Sequence, residues 1–251
     1  MSTSPTDSPE NNLPRDAAYW AQQTAIFKVS RLPTGALDLN VAGRQGLSPL
    51  QGFGQMWQKV FRVRLKGVEV SPTEVVKTWK ENFPKFWPKG NRFYTPLTGI
   101  TPGEVAILQI APGGMPLSTG VMVLYADDES FTLMTPQGHV FAGWITFSAY
   151  EEDGCVVAQA SMLIRANDPL YELAMRFGGH KAENTFWEHT LTSLALYHHV
   201  EAEVETNVTC LDNRVQWSQA KNIWQNAGLR TMLYTLTAPL RWLRKKKRKT
   251  P

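Results

Sequence analysis

The chain has 251 residues, 43% of them hydrophobic and 19% charged, with nine tryptophans. That is ample for a buried core and excludes a disordered or fibrous protein. The formal charge of +4 is unevenly spread: no acidic residue follows Asp212 but ten basic ones do, leaving 16 basic against 22 acidic before it, a net of −6. A mildly acidic body argues against a nucleic-acid-binding core, and the basic end is the expected contact for something anionic. Cys155 and Cys210 have no CxxC or CxxCH spacing and are expected as two reduced thiols. Met1 to Asn12 is polar, so no secretory signal is expected there, and no apolar run approaches the ~20 residues of a bilayer span. These features predict a cytoplasmic protein.

Residues 1–13, rich in Ser, Pro, Thr and Asn, are expected to be disordered. Residues 14–56 read as an N-terminal extension, with short strands at 25–29 and 37–41 between glycine loops. Gly52-Phe53-Gly54 is not followed by the strand-to-helix GxGxxG pattern of a dinucleotide site. Phe61, Val63 and Leu65 alternate with Arg62, Arg64 and Lys66, which predicts a strand with one wet face. Ser71-Pro72-Thr73-Glu74 is a capping box with proline at the first helical position. Val75, Val76, Trp79 and Phe83 then share one face of a short helix, which Pro84 and Pro88 end. Strands are expected over 105–110, around Val121 to Tyr125, and over 131–135.

Residues 139–200 organise the rest. Phe141, Ile145, Phe147 and Ala149 alternate along one run, and Val156, Ala158, Ala160, Met162 and Ile164 along the next. Between them Asp153-Gly154 supplies a tight hairpin turn. Asp168-Pro169 then gives an N-cap oxygen and a first-turn proline, opening a long helix. Gly178-Gly179 inside that helix costs ~1 kcal/mol per glycine relative to alanine, so a kink or split is expected there, into 169–177 and 181–200. A break at that point would open room beneath the helix; a close helix–sheet approach without a ligand is the alternative. Glu201 to Thr206 reads as a short strand or extended connector. From Val215 a second helical region carries Leu229, Met232, Leu233, Leu236, Leu240 and Leu243 as one apolar stripe, with a kink expected at Pro239.

The order of strand, short helices, antiparallel strands and long closing helix resembles the START-like, polyketide-cyclase-like (SRPBCC) superfamily over Trp57 to Val200. More narrowly, Thr135-Pro136-Gln137-Gly138-His139, Phe147-Ser148 and Arg176-Phe177-Gly178-Gly179-His180 resemble a bacterial and plant branch of unknown function. The chain departs from that branch at Val140 and Trp144. The resemblance implies an α+β helix-grip fold, in which a curved antiparallel sheet wraps a long C-terminal helix around an apolar pocket. The expected division is 57–205 for this domain and 206–251 for an amphipathic basic helical tail.

An apolar pocket calls for adaptable walls, and Met134, Trp144, Met162, Phe177 and Phe186 are the candidate ligand-binding residues. His139 and His180 are weak candidates for a catalytic acid or base, with structural histidines the competing reading. His198-His199 near Glu201 and Glu203 lacks HExxH or cysteine partners, so no metal and no cofactor is expected. At the C-terminal end Arg241, Trp242, Arg244, Lys245, Lys246, Lys247, Arg248 and Lys249 suit an anionic membrane surface. The leading expectation is a binding protein for a lipid-like or other apolar small molecule, peripherally associated with the inner face of a membrane. A cyclase or isomerase using a cavity histidine, and a ligand-free adaptor whose tail binds protein or nucleic acid, are the alternatives.

Overall fold

A computed structural model describes residues 17–29, 31–111, 116–239 and 241. The expected disorder over 1–13, Leu240 and Leu243 of the stripe, Trp242 and the basic run at 244–249 lie outside the described residues. One antiparallel sheet of eight strands runs in the order β2-β3-β4-β5-β6-β7-β1-β8. Its strands are β1 (Met56–Leu65), β2 (Arg92–Tyr94), β3 (Val105–Ile110), β4 (Leu117–Ala126), β5 (Ser130–Met134), β6 (Phe141–Glu152), β7 (Cys155–Ala166) and β8 (Glu205–Asp212). The helices are α1 (Pro72–Asn82), α2 (Pro169–Ala174), α3 (His180–Tyr197) and α4 (Ala227–Leu236). The curved sheet wraps α3, with α1 beside it, so the architecture is α+β and of the helix-grip type.

Local chemistry explains the elements. The Ser71 hydroxyl accepts a hydrogen bond from the Glu74 amide and the Glu74 carboxylate accepts one from the Ser71 amide, so α1 starts at Pro72. The β6–β7 hairpin turns at Asp153 (φ 51°) and Gly154 (φ 74°), the left-handed pair that a two-residue loop needs. Asp168 accepts from the amides of Leu170 and Tyr171, which fixes the start of α2. The two glycines divide the helix, as expected. A single π-helical turn, Met175–Gly179, separates α2 from α3, with Phe177 out of helical geometry and Gly178 at φ 97°. Past α3, His199 at φ 60° ends the helix, so it stops at Tyr197 rather than Val200.

The inner face of the sheet and the helices enclose one large apolar core. Aromatic rings fill its centre: Trp79 and Phe83 pack edge-on against Phe131 and Phe147, and Trp87 joins Phe83, Phe93 and Phe186. The outer face is covered too. Phe27, Ala36 and Val41 form a second cluster there with Val105, Ile107 and Met122.

Three expectations are corrected. Residues 25–29 and 37–41 are not strands but irregular chain; Phe27 bonds Arg44 and Gly43 rather than a ladder, because this segment is draped over the outer face. The tail does not begin at 206: residues 205–212 are β8, paired with β1. Their side chains are almost all exposed, so no one-sided alternation marks the strand. Residues 217–225 form a 3₁₀ helix, and only then does α4 begin. α4 ends at Leu236, and past a turn residue at Thr237 the chain is helical again at 238, 239 and 241. There the Arg241 amide donates to the Thr237 carbonyl at 3.1 Å, so the helix is interrupted next to Pro239 as expected.

The C-terminal segment is built into the fold. Ala227 and Thr231 of α4 are buried, and Asn40 donates to the Ser118 carbonyl at 2.8 Å, the Ala227 carbonyl at 3.3 Å and the Thr231 hydroxyl at 3.2 Å. The caps of α2 and α4 are joined, because Asn226 donates to Asp168 at 2.8 Å while its own oxygen caps Leu229. Arg165 bonds the Asp212 carboxylate at 2.6 Å and the Arg214 carbonyl at 2.9 Å, which fastens the end of β8 to β7.

Candidate functional site

Along β1, alternate residues from Trp57 to Leu65 face inward, and the second of them is a lysine. Lys59 is 0% exposed, flanked by Trp57 and Phe61 and abreast of Met162 on β7. An isolated ammonium in such a place would carry a penalty of several kcal/mol. The compensation comes from α3: Lys59 Nζ lies 2.6 Å from Glu183 Oε2 and 2.8 Å from Asn184 Oδ1. Glu183 also accepts from Trp187. Burial pushes the Glu183 carboxyl above its ordinary value, while Lys59 and Trp187 oppose that rise.

Helical spacing assembles the rest. His180, Glu183, Asn184 and Trp187 recur at three and four residues, on the same face that continues into buried Leu191 and Leu194. The inner face of α3 is therefore polar at its start and apolar further on. His180 stacks at a tilt on Trp57, with ring centroids 4.7 Å apart. Burial, and then the charge of Lys59, lower its pKa to about 4, so it is neutral at physiological pH.

Three polar positions in this cluster have no partner among the described residues. They are Trp57 Nε1, His180 Nδ1 and the third N–H donor of Lys59, two of whose three donors are used. Together they present donors, and one nitrogen able to donate or accept, toward an otherwise aromatic and aliphatic interior. Chemically this suits a molecule that is mostly apolar with an oxygen-bearing group at one end.

The residues expected to line a pocket separate into three places. Met162 and Phe186 belong with the cluster: Met162 is beside Lys59, and Phe186 packs on Trp187. Met134 and Trp144 pair across β5 and β6, but they lie on the outer face, alternate to Phe131, Leu133, Ile145 and Phe147. Phe177 is 83% exposed on the π-helical turn. The correction has a physical cause: both faces of the sheet are covered, so apolar character does not distinguish them. The interior itself is filled by rings, and a groove of about 300 Å³ lies elsewhere, lined by Val60, Arg62, Glu205, Thr206 and Asn207 on β1 and β8.

His139 stands apart from the cluster. It is buried at the turn before β6, its Nδ1 accepts from the Phe141 amide at 3.0 Å, and burial lowers its pKa to about 4. Next to it Gly138, at φ 84°, lies so close to Gln225 that an added Cβ would meet the Gln225 carbonyl oxygen at 2.0 Å. The Gly-His turn thus seats the segment leading into α4. Cys155 and Cys210 are free thiols, and no helix among the described residues is long and apolar enough to cross a membrane. Of the membrane candidates Arg241 alone is described, with its guanidinium 3.6 Å over the Tyr234 ring.

Sequence reading missed Lys59, Glu183, Asn184, Trp187 and Trp57. The signal was present in two places: the inward phase of Phe61, Val63 and Leu65 extends back through Lys59, and His180, Glu183, Asn184 and Trp187 have helical spacing.

No family model and no curated protein matches the chain. Among solved structures it is similar to a START superfamily protein from Mycobacterium smegmatis, with 18% identity, 58% of this chain and 98% of that one covered, and a TM-score of 0.40. It is also similar to the di-domain ARO/CYC StfQ from the steffimycin biosynthetic pathway, with 7% identity, 58% and 51% coverage, and a TM-score of 0.45. Ara h 8.0201 matches at 13% identity, 57% and 98% coverage, and a TM-score of 0.41. All three are likenesses over a little more than half of the chain.

Proposed function

We propose that this helix-grip protein binds a lipid-like or other apolar small molecule beneath α3, with an oxygen-bearing group of the ligand against Lys59, Trp57 and His180. The observation that carries this reading is the buried Lys59–Glu183 pair. Well-packed apolar residues would serve stability at least as well in that position. A charged, hydrogen-bonded cluster at the start of α3 is therefore better explained by recognition. The π-helical turn at Met175–Gly179 supports it, since Gly178 has open space around its α-carbon and interrupts the helix where the cluster begins. Movement there would make room among the rings.

The test is titration of detergent-free protein with a fluorescent fatty-acid probe. Saturable one-to-one binding, displaced by an unlabelled apolar alcohol, is expected. Only non-saturable, surface-like partitioning would overturn the reading.

The same reading has the protein associate peripherally with anionic membrane through the basic C-terminal residues. Each basic residue near such a surface contributes ~1 kcal/mol, and the six at 244–249 act together. Serine at all six positions should abolish sedimentation with vesicles containing phosphatidylserine. Unchanged sedimentation would refute the tail's role.

A further inference from the structure

Four large apolar side chains stand out of the surface on adjoining elements. Leu170, Leu173 and Phe177 project from α2 and the π-helical turn at spacings of three and four, and Trp224 projects from the 3₁₀ helix. Phe177 and Trp224 are each 83% exposed. The two elements are tied together: Asn226, two residues after Trp224, bonds Asp168, two residues before Leu170. The Gly228 amide also donates to Tyr171 of α2 at 2.9 Å. An apolar face of this kind on a fixed scaffold calls for a partner.

Charge distinguishes the partner. Lys181 is exposed one turn after Phe177, and Lys221 is exposed three residues before Trp224, on the same side of a 3₁₀ helix. Arg176 is half-exposed between Leu173 and Phe177. Asp168 and Glu172 are instead buried, the first as a cap and the second bonded to Arg176 and the Gln55 amide. The Arg176 charge is offset by Glu172, and exposed Lys181 and Lys221 leave the surroundings of these apolar side chains net cationic. The same scaffold leads directly into α4, toward Arg241 and the basic run.

We propose that this face is inserted into the interfacial layer of an anionic phospholipid bilayer, with Phe177 and Trp224 as the wedges and the basic residues holding lipid headgroups. This rests on the peripheral-membrane reading above and deepens it, because it assigns an apolar contact that the tail alone does not provide. It also places the membrane against the break between α2 and α3, through which a ligand would reach the cluster.

The experiment uses full-length protein and sedimentation with phosphatidylcholine vesicles, with and without phosphatidylserine, at low and high salt. The variants are Phe177→Ser with Trp224→Ser, Leu173→Ser alone, and serine at the six basic positions of the tail. Both aromatic residues are exposed, so the double variant should keep the wild-type circular dichroism and melting profile. The wedge predicts that affinity falls roughly tenfold for each aromatic removed, and that high-salt binding, which persists in the wild type, disappears. Leu173→Ser should show a smaller loss in the same direction. A double variant that binds like the wild type while the tail variant does not would overturn the wedge and leave the tail reading standing. No binding by the wild type would end both. A wild-type dimer made monomeric by the same two changes would assign the face to a second copy and overturn the proposal.

Discussion

Replacing Lys59 by methionine removes the charge that Glu183 is buried against. At an effective dielectric of ~20, unit charges 2.6 Å apart attract by ~6 kcal/mol. Part of that is recovered when the carboxyl takes up a proton, so Lys59→Met should destabilise by ~3–5 kcal/mol, a large share of a typical domain's stability. The loss carries a pH signature. Burial already holds the Glu183 carboxyl above 4.5, and without Lys59 it rises further. The folded state then binds that proton more tightly than the unfolded chain, so the variant should lose stability as pH rises above about 4.5. Glu183→Leu alone strands the ammonium and should cost a similar amount. The double variant Lys59→Met/Glu183→Leu should come within ~1–2 kcal/mol of the wild type, because an apolar pair of similar volume needs no compensation. Urea denaturation of all four proteins measures this cycle. Single losses below ~1 kcal/mol, or additive losses in the double variant, would refute a tightly coupled buried pair.

The remaining expectations concern the scaffold. His139, ordinarily near 6.5 and here lowered to about 4, is protonated in the unfolded chain first as pH falls. Stability should therefore decline by ~3 kcal/mol between about pH 6.5 and 4, and a urea-midpoint series in His139→Gln should lack that part of the slope. Asp168→Ala removes the cap of α2 and its tie to Asn226; a loss of ~2–3 kcal/mol is expected, with protease cleavage appearing first in residues 213–241. Gly138→Ala would push its Cβ into the Gln225 carbonyl and should loosen the same segment strongly. Gly178→Ala meets open space and should cost only the ~1 kcal/mol of left-handed geometry, a contrast that thermal melts can read.

Much of this fold is legible because its punctuation is chemical. Ser71-Pro72-Thr73-Glu74, Asp153-Gly154, Asp168-Pro169 and Gly178-Gly179 each admit few backbone geometries, and each stands where its chemistry requires. The candidate site is less legible, since it violates the pattern that reveals strands. Lys59 holds a position that polarity would assign to solvent, and only its register with Phe61 and Val63 marks it as interior. Met134 and Trp144 mislead for the opposite reason: the segment around Phe27 and the C-terminal elements cover the outer face, so apolar residues occur on both. β8 escapes notice because an exposed edge strand has no buried face to alternate against. Its partner β1 supplies the pairing, which no local pattern records.

The central claim is that the Lys59–Glu183 cluster exists to hold an apolar molecule under α3. The most direct measurement is native mass spectrometry of detergent-free wild type beside Lys59→Met/Glu183→Leu, with organic extraction of whatever each retains. The account predicts a stoichiometric apolar adduct with an oxygen-bearing group on the wild type, and an equally folded double variant that emerges without it. Identical spectra from the two proteins, both free of adduct and both failing to take up the fatty-acid probe, would contradict it.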